Sequence, residues 1–332
     1  MSRPIDHPLR FDHLNVLIVG DVMLDHDIVG RVDRVSPEAD VPVVVQDSER
    51  FRPGGAANVA VNVGALGARP LLVSMVGRDE QGKRLEELLR DHEIPPRYIL
   101  QSVQRPTTVK TRVLDGSRHV LRVDREVSHD LDASGRDRLR TTIENVLNQV
   151  TIHVAILQDY DKGILGPENV PDILAMLHER DIPVAVDPKF RDVVAYRGAD
   201  LIKPNRRELA AVHGTDIDPT DDDALFDALA SVRDRLDARR LVTTLSAHGI
   251  AGLSDEERVR LPAIERSIVD VSGAGDTVIA TAALLLATGA DLHTLCALSN
   301  LAGGAVCEHS GVVALGVEAL REEVRRKTER AD

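Results

Sequence analysis

Residues 270–278, Asp-Val-Ser-Gly-Ala-Gly-Asp-Thr-Val, gather in one stretch the groups that moving a phosphoryl group requires. Residues 267–270 read as a short strand and residues 277–287 as an apolar helix, so the glycines fall at a strand-to-helix turn. The first amides of a helix have no intrahelical acceptor. Gly273 and Gly275, with the small Ala274 between them, leave those amides uncovered, and an anion can dock there. Asp276 stands at the same helix end, where a carboxylate can take the proton of an attacking hydroxyl. The plainer assignment is that Asp276 merely caps the helix, as Asp often does. Four residues do not choose between the two; the rest of the chain has to.

That chain has 332 residues, 43% of them hydrophobic, enough to bury a large core, and it reads as one α/β domain over 1–332. A net charge of −13 argues against a general nucleic-acid or membrane-surface binder, so positive charge for an anionic ligand has to be gathered locally. Aromatic residues are 2% and Trp is absent, which leaves recognition to polar contacts. Cys296 and Cys307, eleven residues apart on a predicted helix, are separated by roughly 16 Å along its axis, too far to bridge. Residues 1–13 carry prolines and charges before any apolar run, unlike a signal peptide, and residues 278–290 are too few to cross a bilayer. A cytoplasmic location is the expectation.

The elements that position the chemistry follow in order. Residues 15–20 are a buried parallel strand, with Asp21 and Asp25 at its carboxyl end, placed to bind sugar hydroxyls or simply to start a turn. Residues 28–46 hold two short extended pieces around a Ser-Pro-Glu loop, an edge ribbon read as part of a lid built from about 26–50 and 97–124. Gly54 and Gly55 form a turn opening an Ala/Val helix whose Asn58 is out of place in a plain core helix. Residues 77–84 match a P-loop until Arg84 replaces the metal-binding Ser or Thr, and are rejected. Residues 107–124 are a hairpin turning at 115–117, with Lys110 and Arg112 on one face of its first strand and Arg122 and Asp124 on one face of its second. A substrate phosphate would explain those basic residues, although a solvated strand face is the commoner reason.

From 132 onward helix and strand alternate as in a doubly wound, mostly parallel sheet with helices on both faces. The strand exits are polar: residues 159–163 with Lys162, then Asp187 and Lys189, then Asn205 and Glu208. The last pair lies one turn apart, suited to orienting a hydrated Mg²⁺ (Glu208 through water) beside a triphosphate, or to a capping box. Thr244, Ser246 and Gly249 follow another strand and can face a nucleotide. Asn300 is the polar exception on the second of two nearly all-apolar helices.

Taken in order, Gly54-Gly55…Asn58, Asn205…Glu208 and Asp270-x-x-Gly-Ala-Gly-Asp276 resemble the ribokinase-like (PfkB) carbohydrate kinase family over nearly the whole chain. Residues 20–25, 36–38, 52–59, 107–112, Tyr160-x-Lys-Gly and Asp187-Pro-Lys189 are most similar to its D-glycero-β-D-manno-heptose-7-phosphate kinase branch. That resemblance implies transfer of the ATP γ-phosphate to the anomeric hydroxyl of heptose 7-phosphate, on the route to ADP-heptose for the lipopolysaccharide core. It implies Asp276 as base and the Gly273, Ala274 and Gly275 amides as anion hole. Sugar contacts would come from Asp21, Gly54, Gly55 and Asn58, with the substrate phosphate near Lys110, Arg112 and Arg122 and a homodimer formed through the lid ribbon. With no His-x-Gly-His motif, a kinase without the fused nucleotidyltransferase of the bifunctional members is expected. The competing readings are a kinase for another sugar or sugar phosphate, and a catalytically silent sensor on the same scaffold. A dinucleotide oxidoreductase is disfavoured, since no Gly-x-Gly-x-x-Gly follows the first strand.

Overall fold

A computed structural model describes residues 7–189 and 191–329. The first six residues of the N-terminal stretch discussed above, and the last three of the chain, lie outside the described residues. The strands are β1 (Asn15–Gly20), β2 (Val22–Val35), β3 (Pro42–Gly55), β4 (Arg69–Gly77), β5 (Ile99–Ser102), β6 (Val109–Asp115), β7 (Arg118–Arg125), β8 (Val154–Gln158), β9 (Val184–Asp187), β10 (Leu201–Ile202), β11 (Arg240–Thr244), β12 (Ile250–Leu253) and β13 (Arg258–Leu261). The helices are α1 (Ala56–Ala65), α2 (Glu80–Asp91), α3 (Ala133–Gln149), α4 (Val170–His178), α5 (Arg206–His213), α6 (Asp222–Leu236), α7 (Ala274–Ala287), α8 (Leu292–Val306) and α9 (Val317–Glu329).

Nine strands form one sheet in the order β13-β12-β11-β10-β9-β8-β1-β4-β5, parallel from β11 to β5 with an antiparallel hairpin at the other edge. β1 lies between β8 and β4, and its alternate residues feed two cores. Val16 and Ile18 pack among α1, α7 and α8, while Leu17 and Val19 pack among α3, α4 and α6. A strand buried on both faces has no polar side, which is why this run is apolar throughout. Because β1, β8, β9, β10 and β11 run parallel, their carboxyl ends deliver Asp21, Asp159, Asp187, Lys203 and Thr244 to one edge.

The lid is a separate four-stranded sheet, order β3-β2-β6-β7. It differs from the sequence expectation in two ways. β2 and β3 are each 14 residues long and paired along nearly their whole length, where two short pieces were expected. Residues 99–102 do not belong to it, since β5 pairs with β4 at the edge of the main sheet. Gly54 and Gly55 end a strand and do not form a free turn.

Three further expectations need correction. Residues 267–270 form no strand; Ile268 and Val269 are exposed, and the Val269 and Asp270 amides donate to the Cys307 carbonyl. The helix after them begins earlier than read, at Ala274, with Gly273 as its N-cap. Asp276 is therefore the third residue of α7 and not its cap. The P-loop look-alike is explained locally: Asp79 caps α2 by accepting from the Gly82 amide and also binds the Thr107 hydroxyl at 2.6 Å. The two cysteines are free and buried.

The lid joins the main sheet through Asp21 at one end and directly into α1 at the other. Gly55 sits at φ +62°, where a Cβ would lie 2.3 Å from the Asp21 carbonyl oxygen. Gly55→Ala combines a left-handed backbone with that clash, and should lower unfolding free energy by about 2–4 kcal/mol. Urea denaturation of the two proteins checks this, an unchanged midpoint being the contrary result.

Candidate active site

At the carboxyl edge of the sheet, Asp276 is 5% exposed and both its carboxylate oxygens are held. Asn58 Nδ2 donates to Oδ2 at 2.6 Å and the Tyr160 hydroxyl donates to Oδ1 at 2.7 Å. α1 packs along α7, and Asn62 accepts from the Thr277 hydroxyl at 2.8 Å, which fixes the two helices in register. Asn58, odd in a helix of alanines and valines, is thus the group that aims the carboxylate. Burial pushes the Asp276 carboxyl up to about 6; the Asn58 and Tyr160 hydrogen bonds pull it down, Asp187 adds to the rise and Lys203 opposes it. An acid whose folded value lies above the ordinary 3.8 binds its proton more tightly in the native chain. Its contribution to stability is whole below about pH 4 and is lost as pH rises through about 6.

Tyr160 received no role from the sequence beyond its place in a motif. It is held by its backbone, since the Tyr160, Lys162 and Ile164 amides donate to the Asp21 carboxylate at 2.8, 3.0 and 3.0 Å. Its ring lies under two ammonium groups, Lys110 at 5.5 Å and Lys189 at 5.2 Å from the centroid. Asp21 accordingly anchors this loop from behind and is not free to present its carboxylate to a sugar, as the sequence suggested. Asp159, next to it, is raised to about 6 by burial and by Asp21, and binds the Tyr196 hydroxyl.

A cavity of about 710 Å³ opens in front of α7. Gly273, Ala274, Gly275 and Asp276 line it, together with Asn205, Glu208, Thr244, Ser246, Gly249 and Asn300. Asp187 and Lys189 line it as well. This size suits a cofactor-scale ligand. Asn300 donates to the Pro262 carbonyl at 2.8 Å, tying α8 to the loop that runs toward the glycines.

Asn205 and Glu208 form a complete capping box, the side chain of each accepting from the other's backbone amide at 3.0 and 2.9 Å. The second oxygen of Glu208 accepts from Lys189 Nζ at 2.6 Å. Among the described residues no cluster of three His, Cys, Asp or Glu could hold a metal ion.

The lid presents a charged inner face. Cross-strand register lines up Arg52, Asp25, Lys110 and Asp124 in one row and Arg50, Asp27, Arg112 and Arg122 in the next. Arg112 binds Asp25 at 2.7 Å and Arg52 binds Asp27. Gly54 is needed here, since a Cβ would fall 2.6 Å from Asp25 Oδ2. Asp25 thus neutralises an arginine and is not an open hydroxyl acceptor. Arg122 and Asp124, on the outer strand beside Arg112 and Lys110, pair with each other at 3.0 Å, and Arg122 is exposed. Lys162 pairs with Glu126 at 3.0 Å at the lid base. Lys203 was also missed. Its signal was a lysine closing an otherwise apolar strand before Pro204, a charge that burial gives no easy exit.

The model of the pfkB family carbohydrate kinases matches residues 13–319. The chain belongs to the PfkB carbohydrate kinase family. It is a phosphotransferase with an alcohol group as acceptor. It is 42% identical over 319 residues to the bifunctional protein HldE of Pseudomonas aeruginosa (strain LESB58), covering 96% of this chain and 65% of that one. It is 39% identical over 322 residues to HldE of Methylobacillus flagellatus, covering 97% and 65%. The chain thus spans about 65% of the length of these curated relatives. Among solved structures, phosphofructokinase-2 from Escherichia coli superposes with a TM-score of 0.76 at 19% identity, covering 95% of this chain and 99% of that one. Arabidopsis thaliana ribokinase complexed with ribose and ATP gives 0.73 at 16%, covering 94% and 98%. Those two likenesses are of fold, and they agree with the ribokinase-like sheet described above. PfkB kinases use ATP.

The titration of Asp276 can be followed without any substrate. With ¹³C-labelled carboxyl groups, a resonance that disappears in Asp276→Asn should titrate near pH 6. Tyr160→Phe, which removes a donor to the ionised form, should move that midpoint upward. A midpoint in the ordinary carboxylate range, or one indifferent to Tyr160, would contradict the geometry.

Proposed function

We propose that this kinase transfers the γ-phosphoryl group of ATP to the anomeric hydroxyl of D-glycero-β-D-manno-heptose 7-phosphate, giving the 1,7-bisphosphate. The observation that carries the catalytic part is the buried Asp276 carboxylate, aimed by Asn58 and Tyr160 at the mouth of the cavity beside the first turn of α7. In this reading ATP occupies the cavity with its adenosine end toward Thr244, Ser246, Gly249 and Asn300, and its γ-phosphate meets the amides of Gly273, Ala274 and Gly275. The acceptor lies on the Asn58 side, under the lid. Its hydroxyl gives its proton to Asp276 as the oxygen–phosphorus bond forms and the bond to the ADP oxygen breaks. Preorganised amides match the charge that develops on the migrating group.

The heptose assignment rests on the quoted motif resemblance and on the roughly 40% identity to HldE proteins over this chain. Lys110, over the Tyr160 ring, is the local cation for a phosphorylated sugar in a chain of net charge −13, with the carboxylate-paired Arg112 and Lys189 beside it as further donors. Magnesium would arrive with the triphosphate and reach Glu208 through water, and no step here is assigned to it. A homodimer through the lid has support in its outer face, where Leu121 and Val123 are exposed opposite the charged rows. No described helix is long and apolar enough to cross a membrane, in keeping with action in the cytoplasm, where ATP is made.

Four outcomes are expected. Purified protein should convert heptose 7-phosphate in preference to fructose phosphates and ribose, with a new anomeric phosphate signal by phosphorus NMR; no turnover of the heptose would end the specific assignment. Asp276→Asn should lower kcat by about 10² to 10⁴ while leaving ATP and sugar binding largely intact. Since the base works ionised, kcat/KM should fall as pH drops through about 6. Light scattering should give a dimer that Val123→Glu dissociates.

A further inference from the structure

Three cations line the cavity: Lys189, Lys203 and Arg266. Two of them are already matched by carboxylates. Lys189 is bound to Glu208 at 2.6 Å, and Arg266 is clasped by Glu308 at 2.7 Å and by Glu323. Lys203 differs. It is 2% exposed where Lys189 is only half-buried, directly follows β10, and its single carboxylate within ion-pair distance among the described residues, Asp187 Oδ1, stands farther off at 3.1 Å. Asp187 is itself shared, since its other oxygen accepts from Gln158 at 3.1 Å. An ammonium has three donors, and a buried one is costly to keep charged unless several acceptors meet it.

The acceptors that Lys203 lacks can come from the cavity side. A Cβ placed on Gly275 would stand 3.9 Å from Lys203 Nζ, so the ammonium lies against the first turn of α7. A phosphoryl group docked on those amides has oxygens within reach of both.

We propose that Lys203 is a catalytic residue, binding the oxygens of the phosphoryl group as it passes from nucleotide to acceptor. The assignment rests on the kinase reading given above but not on which sugar is the acceptor. Lys203 stays protonated throughout. The acceptor proton goes to Asp276, the new bond joins acceptor oxygen to phosphorus, and the electron pair of the broken bond leaves on ADP. Lys203 and Asp187 also act on the base in opposite senses, the lysine holding the Asp276 carboxyl down and Asp187 pushing it up. The alternative is that Lys203 and Asp187 simply tie β9 to β10.

The test compares wild type with Lys203→Met, Lys203→Arg and the double variant Asp187→Asn/Lys203→Met, which leaves no unpaired buried charge. Calorimetry with ADP and with the β,γ-imido analogue of ATP is the first readout. Lys203→Met should lose roughly 10-fold or more in affinity for the triphosphate, the worth of a hydrogen bond to a charged group, with ADP affinity changed less than about 3-fold. In the sugar kinase assay kcat should fall by about 10² to 10³, with partial return in Lys203→Arg and the same loss in the double variant. The acid limb of kcat/KM should move up in Lys203→Met and return toward wild type in the double variant. Equal losses of ADP and analogue binding, or wild-type kcat in a folded double variant, would make the lysine a structural tie and overturn the proposal. If no sugar is phosphorylated by wild type, the acceptor assignment fails, while the ADP-to-analogue comparison still decides Lys203. Should Lys203→Met fail to fold, the double variant decides it.

Discussion

Keeping one carboxylate ionisable while excluding it from water is the constraint that organises this molecule. A buried carboxylate without donors simply takes up a proton. Asp276 is given two donors from separate elements, Asn58 on α1 and Tyr160 after β8. Neither is a neighbour in the chain, so the geometry depends on α1 packing against α7 and on β8 lying beside β1. The fully apolar β1 and the small residues of α1 are what allow those approaches. The core is in this sense the support of a single side chain.

The same logic extends one layer outward. Tyr160 is held by Asp21, whose carboxylate takes three backbone amides. Asp187, Lys203, Lys189 and Glu208 form alternating charges along the strand exits. On the lid, Asp25 and Asp27 offset Arg112 and Arg52. Most of the charges in these places are paired. An entering polyanion meets a surface whose cations are already oriented by carboxylates, so less ordering remains to be done on binding.

Much of this was legible in the sequence because it follows from local rules. β1 announced itself as an apolar run, the Asn205/Glu208 box as a helix start, and the turn at 115–117 as a hairpin. What escaped was set by distant partners. Ile268 and Val269 have strand-forming side chains, yet the Val269 and Asp270 amides are engaged by the Cys307 carbonyl and no strand forms. The lid strands looked short because prolines and charges interrupt them, and only cross-strand ion pairs show why such residues belong in a sheet. Tyr160 sits in a loop, where periodicity says nothing.

Two of the lid's four connections are very short, while those over residues 103–108 and 126–132 are longer. Between β1 and β2 stands Asp21 alone, and β3 runs into α1 without an intervening residue. The Ala56 amide donates to the Asp21 carbonyl at 2.9 Å, so both joints meet at one point. That makes the ribbon a lever with its fulcrum at the root of the helix bearing Asn58. Reshaping this scaffold for a different acceptor would therefore be least disruptive at the far tips of β2 and β3; changes near the fulcrum would alter grip and proton transfer together.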